Sequence, residues 1–214
     1  MHYSMASRSN EAFTRLDQIP TFAEKANLKN PEKTSTKVCV WQGDITRLQV
    51  DAIVNAANHS LLGGGGVDGA IHRAAGRGLY EECKTLNGCK TGEAKITAAH
   101  NIKHIKKIIH TVGPQVHGLL NTTHEDQLKS CYLQSLALAV ENNLRSIAFP
   151  CISTGIYGYP NERACPTVLN LIKSWLLEDS NIDKMDRIVF CVFLDDDVQI
   201  YTKNLPKVFG ESTS

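Results

Sequence analysis

Four consecutive glycines, Gly63 to Gly66, constrain this chain more than any other stretch. Glycine loses more backbone freedom on folding than any other residue, so a run of four is unfavourable unless something offsets it. What usually does is close approach of the backbone to a ligand, with N–H groups aimed at an anion. The flanks agree. Ala52-Ile53-Val54 is a short apolar run, largely β-branched, that predicts a buried strand, and Asn55 and Asn58 fall where it should end. Val67 to Ala75 predicts a helix whose N-terminus adds favourable partial charge for a phosphate. Ligands of open α/β sheets bind at the C-terminal ends of strands. Gly63, Gly64, Gly65, Gly66 and Val67 are therefore expected to line a site for an anionic ligand.

Asp68 does not suit a site that only holds phosphate, because a carboxylate beside an anion repels it. Either Asp68 stabilises the start of the helix, or it has a chemical task. Gly64-x-Gly66-x-x-Gly69 satisfies the dinucleotide-binding pattern, yet that fingerprint needs its first glycine directly after a strand. Here Asn55 to Leu62 intervene, and no second strand ending in an acid follows about twenty residues on. A nicotinamide dehydrogenase is disfavoured; a pyrophosphate held on backbone amides is not.

A chain of 214 residues suits one domain plus an extension, and a hydrophobic fraction of 42% supports a real core. The net charge of +1 gives no global case for nucleic acid as the main ligand. Lys103-His104-Ile105-Lys106-Lys107 is read as a solvated entry to a strand. The 7 cysteines include no Cys-x-x-Cys pair, and Cys39, Cys151 and Cys191 lie in apolar strand-like runs, so buried free thiols are expected. The histidines show no metal-ligand spacing; neither a metal nor a cofactor is expected. No run approaches the roughly 20 apolar residues of a membrane span, and no secretory apolar region opens the chain. Residues 1–16 carry Arg8, Arg15, several serines and one acid, Glu11, which is compatible with a mitochondrial transit peptide. The expected compartment is intracellular: cytoplasm, nucleus or mitochondrion. No residue pattern sets an oligomeric state, and a monomer is the default expectation.

Along the chain, residues 1–17 are expected to be poorly ordered. Ile19-Pro20-Thr21-Phe22 and the following Ala23-Glu24-Lys25-Ala26 suggest a short helix, then a polar linker from Asn30 to Lys37, then a strand from Val38 to Trp41. Strands Ala94–Ala98 and Ile108–Val112 follow, the second closed by Gly113-Pro114. Thr123-x-x-Asp126 resembles a capping box and opens a helix with the core stripe Leu128, Cys131, Tyr132, Leu136, Ala139 and Val140. Ile147 to Ile152 predicts a buried strand with Ser153, Thr154, Gly155, Ile156 and Tyr157 at its end. A second glycine-bearing loop on the same sheet edge lets two loops grip one pyrophosphate. Val168, Leu171, Ile172, Trp175 and Leu176 mark another helix face, in which Pro166 should start, kink or shorten the helix. Ile188 to Leu194 is a continuous apolar strand. Asp195 to Asp197 can cap a last helix that Pro206 ends. Trp41 and Trp175 are assigned to the core. Strands alternating with helices argue for a three-layer α/β domain.

Gly43-Asp44-Ile45-Thr46, Val54-Asn55-Ala56-Ala57-Asn58, Gly63 to His72 and Ser153-Thr154-Gly155-Ile156-Tyr157-Gly158 together resemble the signature of a macrodomain of the MacroD type. The resemblance runs from about Lys37 to Phe209, with Pro166 as a departure. It implies an α/β/α fold with a mixed, mostly parallel central sheet, residues 1–36 being an extension and 37–210 the macrodomain. It implies hydrolysis of mono-ADP-ribose from Asp and Glu side chains of proteins and deacetylation of O-acetyl-ADP-ribose. Asp44 and Ile45 would place adenine, though Asp44 can equally be a turn residue. Phe193 would pack on adenine or else belong to the core. Both glycine loops would bind the diphosphate, and Tyr157 would close over the distal ribose or else be a packed loop aromatic. Asn58, with four hydrogen-bonding valences, would hold that ribose or merely form a turn. Asp68 would orient or deprotonate a water, unless a substrate phosphate takes the proton. His72 lies four residues on, on the same helix face; alone it reads as a structural histidine, and the resemblance would have it line the catalytic end of the cleft. A module that reads ADP-ribose without chemistry is the alternative; it would not demand Asn58, Asp68 and His72 together.

Overall fold

The computed structural model describes residues 13–210. Six strands form the central sheet: β2 (Val38–Gln42), β4 (Ala52–Ala56), β5 (Ala94–Ala98), β6 (Lys107–Thr111), β7 (Ser146–Phe149) and β8 (Arg187–Val192). Their order is β2-β8-β7-β4-β6-β5. Every neighbouring pair is parallel except β5 with β6. Helices α4 (Thr122–Glu141), α5 (Asn161–Leu177) and α7 (Asp195–Phe209) cover one face; α2 (Gly66–Ala75) and α3 (Arg77–Thr85) cover the other. Strand β8 shows why its sequence is uninterruptedly apolar. Ile188, Phe190 and Val192 enter the core under α4, α5 and α7, and Val189 and Cys191 enter the core under α2 and α3. A parallel strand covered on both faces needs apolar residues at both parities. The expected three-layer fold with a mixed, mostly parallel sheet is what the chain adopts.

Residues 13–17 are ordered, contrary to expectation. β1 (Thr14–Arg15) pairs in parallel with β3 (Leu48–Gln49), and Phe13 stacks on His104 at 4.8 Å between ring centroids. Residues 1–12, with most of the transit-like composition, lie outside the described residues. Helix α1 (Phe22–Lys25) has a reciprocal cap: Thr21 Oγ1 accepts from Glu24 N at 3.1 Å, and Glu24 Oε2 accepts from Thr21 N at 2.7 Å. The polar linker contains a 3-10 helix, Lys33–Thr36, with Thr34 and Ser35 buried. It is tied to the domain by Glu32 to Lys173 at 2.8 Å and by Lys33 to Asp183 at 2.5 Å; Asp183 belongs to the short helix α6 (Asn181–Lys184).

Several boundaries also differ. The box that opens α4 is Asn121 with His124 rather than Thr123 with Asp126. β7 stops at Phe149 because Pro150 has no N–H for the ladder, and β8 stops at Val192. Pro166 neither starts nor shortens α5, which begins five residues earlier and continues to Leu177. Pro206 lies inside α7, which ends at Phe209. Trp41 and Trp175 are half-buried and packed against the two cores. Cys39, Cys83, Cys89, Cys131, Cys165 and Cys191 are buried free thiols, while Cys151 is half-buried. Among the described residues no helix is long and apolar enough to cross a membrane.

Candidate active site

The parallel strands bring their C-terminal ends to one edge of the sheet, where such folds bind ligands. Gly43 and Asp44 follow β2, Asn58 and the glycines follow β4, Ser153 to Gly158 follow β7, and Phe193 follows β8. The loops after β2 and β8 are stitched together. Gly43 N donates to Val192 O at 3.0 Å, and Gln42 Nε2 donates to Phe193 O at 3.2 Å. Asp44 is exposed, and its Oδ1 accepts from Thr46 N at 2.9 Å and Thr46 Oγ1 at 2.7 Å, capping a 3-10 helix. The turn role is thus realised, and the second carboxylate oxygen is left for other use. Ile45 is buried beneath it, whereas Phe193 is 70% exposed and is not core.

The glycine loop needs its glycines unequally. Gly63 has φ +89°, and a Cβ there would lie 3.3 Å from Cγ of His72. A Cβ on Gly69 would lie 2.5 Å from Gly64 O, so the third glycine of the false dinucleotide pattern lets the helix pack under the loop. Among the described residues, no acceptor takes the backbone N–H of Gly63, Gly64, Gly65 or Gly66, and α2 has no side-chain cap. Four free donors and an open helix N-terminus are an arrangement that can receive an anion. Asn58 braces this loop: its Nδ2 donates to Gly63 O at 2.9 Å, and its Oδ1 accepts from Ser60 N at 3.0 Å and Ser60 Oγ at 2.6 Å. One Nδ2 hydrogen remains for a ligand.

The second loop is held by its own backbone. Tyr159 N donates to Ser153 O at 2.9 Å, and Val116 N donates to Tyr157 O at 2.8 Å. Ser153 is buried at φ +66°, while Ile156 is 90% exposed and Tyr157 half-buried. The backbone N–H groups of Gly155, Ile156 and Tyr157 have no acceptor among the described residues. Beyond the loop, the Asn161 amide hydrogen-bonds the buried carboxylate of Asp197, fixing the start of α5 to the start of α7.

Asp68 shares the buried stripe of α2 with Ile71 and Ala75, and it is 4% exposed. Its Oδ1 accepts from Asn55 Nδ2 at 2.7 Å and lies 3.5 Å from His72 Nε2. Helix capping is therefore not what its carboxylate does. Burial raises its pKa, opposed by the Asn55 hydrogen bond and by His72. A carboxyl whose folded pKa is raised adds stability only at low pH, and that contribution is lost as pH rises through the folded value. Asp68→Asn is accordingly expected to melt at higher temperature than the wild type at neutral pH. The gain should vanish as pH falls below the ordinary carboxyl value of 3.8. Thermal melts from pH 7 to pH 3 check this; a variant less stable at neutral pH would show that the ionised carboxylate supports the fold.

His110, Thr97 and Cys83 were not singled out from sequence. The β4–β6 register sets His110 opposite Asn55, with Nδ1 at 3.1 Å from Asn55 Nδ2 and Nε2 at 2.9 Å from Thr97 Oγ1. The available signal was a histidine directly after Ile108 and Ile109 in a strand, which must be satisfied when buried. His72, Cys83 and His110 have donor atoms within 4.8 Å of one another. They do not fit a metal: both nitrogens of His110 are already engaged, and burial pushes the Cys83 thiol up to about 11.

Residues 54–168 match the family model of the Macro domain. The chain belongs to the macro domain family. Among solved macrodomains, that of Trypanosoma brucei in complex with ADP-ribose aligns with a TM-score of 0.80 and 38% identity, over 90% of this chain and 76% of that one. The ADP-ribose glycohydrolase MACROD1 of Bos taurus is 51% identical over 92% of this chain and 63% of that protein. The ADP-ribose glycohydrolase MACROD2 of Homo sapiens is 58% identical over 81% of this chain and 40% of that protein. The present macro domain is thus of the MacroD type, and it spans less than two thirds of these curated relatives.

Proposed function

We propose that this macro domain hydrolyses ADP-ribosyl esters, releasing ADP-ribose from modified Asp and Glu side chains of proteins and acetate from O-acetyl-ADP-ribose. The observation that carries it is a buried carboxylate, Asp68, beside two loops with seven backbone N–H donors, Gly63 to Gly66 and Gly155 to Tyr157, that have no acceptor among the described residues. The loops take the diphosphate from two sides. Asp44 and Ile45 place adenine, and the exposed Phe193 ring covers it. Asn58 and Tyr157 hold the distal ribose, and His72 lines that end. Asp68 orients the attacking water, with the proton going to Asp68 or to a substrate phosphate oxygen. Names of relatives as ADP-ribose glycohydrolases support the reaction class. Residues 37–210 form the working unit, and the segment before them braces it. The partners are ADP-ribose and intracellular ADP-ribosylated proteins, met by a monomer.

The leaving group decides the substrate class. A carboxylate, with a conjugate acid near pKa 4, departs without a strong general acid or a metal; a serine alkoxide does not. An acceptor modified on Glu should release ADP-ribose ~10²-fold or more faster than the same acceptor modified on Ser. Equal release from both contradicts the proposal.

A further inference from the structure

A chain of polar side chains runs from the sheet to the cleft: buried Thr97 on β5, His110 on β6, Asn55 on β4 and Asp68 on α2, then half-buried His72 on α2. Thr97, His110 and Asn55 are at most 1% exposed. The Asn55 amide has two N–H groups, one donated to Asp68 Oδ1 at 2.7 Å and the other facing His110 Nδ1 at 3.1 Å. Opposite a donor, Nδ1 must be unprotonated, so the ring proton sits on Nε2 and is donated to Thr97 Oγ1 at 2.9 Å. Asn55 Oδ1 is buried with no partner among the described residues, so the two N–H bonds hold the amide in this orientation. A proton on Nδ1 would demand Oδ1 in its place, and the turned amide would present oxygen to the Asp68 carboxylate.

We propose that His110 is a positioning residue for the hydrolytic step: its unprotonated Nδ1 fixes the Asn55 amide, which in turn aims and holds the Asp68 carboxylate beside the glycine loop. This rests on the proposed role of Asp68 in the cleft. The titratable groups facing Asp68 are His72 from its own helix, Cys83 from α3 and His110 from β6, with neutral Asn55 between. Burial keeps His110 neutral far below the pH of turnover, with its pKa pushed down to about 3. The lock therefore holds throughout the working range.

The test uses the full chain, a Glu-modified acceptor and free ADP-ribose. His110→Leu keeps an apolar side chain in the core and removes the acceptor. It should slow single-turnover release by about tenfold to a hundredfold, as misplacement of a reacting group does. The acid limb of its pH–rate profile should move to higher pH, because Asp68 loses an aligned donor. Its calorimetric affinity for ADP-ribose should stay within about twofold, since the backbone loops are untouched. His110→Asn, which returns an acceptor near Nδ1, should move the limb back toward wild type. Should His110→Leu fail to fold, Thr97→Val removes the nearer acceptor for Nε2–H, leaving only Cys83 Sγ at 3.8 Å, and should shift the limb the same way. A folded His110→Leu or Thr97→Val with the wild-type profile overturns the proposal. Rate and ADP-ribose affinity falling together also overturn it, leaving a structural role. Turnover by the wild type with unchanged variants sinks the positioning role alone. A wild type that binds ADP-ribose but releases none sinks the ester-hydrolase reading, and the positioning role with it.

Discussion

Asp68→Ala is expected to retain or increase affinity for ADP-ribose while slowing hydrolysis by the ~10²–10⁴-fold typical of a removed acid–base group. The two effects separate because of where the carboxylate sits. The diphosphate is assigned to backbone N–H groups that the substitution does not touch, and a negative charge beside that site opposes ligand binding. Asp68 is nearly fully buried, so its charge is poorly screened by water. Its contacts with Asn55 and His72 keep it turned toward the sheet rather than onto the helix cap. Calorimetry with ADP-ribose and single-turnover release from a Glu-modified acceptor, on the same protein, decide it. Release at the wild-type rate would return Asp68 to a structural role.

Gly155→Glu should weaken ADP-ribose binding at least tenfold without unfolding the chain. A Cβ at Gly155 meets nothing within 4 Å, so the side chain has room in the free protein. It projects from the loop whose N–H groups are assigned to phosphate, bringing bulk and like charge to that place. One lost charge-assisted hydrogen bond is worth roughly 1.5–3 kcal/mol, and each ~1.4 kcal/mol is a factor of ten in affinity. Unchanged affinity in a variant with the wild-type melting temperature would remove the second loop from the site.

The sheet and the loops were legible because parallel strands carry uninterrupted apolar runs, and because glycine clusters are rarely tolerated without use. Asp68 was partly legible. A carboxylate beside an anion site, four residues before His72 on one helix face, already called for a task. The partners themselves were hidden. His110 meets Asn55 only through strand register between segments some fifty-five residues apart in the chain, and no local pattern encodes that pairing. Helix and strand ends were missed where a single residue outweighed the trend. Asn121 caps better than the Thr123 motif downstream, and Pro150 ends a strand whose apolar run continues to Ile152. Asn58 was legible as a candidate at a strand end, yet its amide is mostly occupied in holding the glycine loop, which spacing alone did not disclose.

The most direct test of ester hydrolysis is single-turnover release by the wild-type protein. It should be held in excess over an acceptor carrying mono-ADP-ribose on one glutamate, with free ADP-ribose followed over time. Binding of free ADP-ribose is measured by calorimetry on the same preparation. The predicted result is stoichiometric release of ADP-ribose, with the acceptor glutamate returned unmodified. Tight binding of ADP-ribose with no release above the uncatalysed rate would contradict it, and would make this macro domain a reader of the modification.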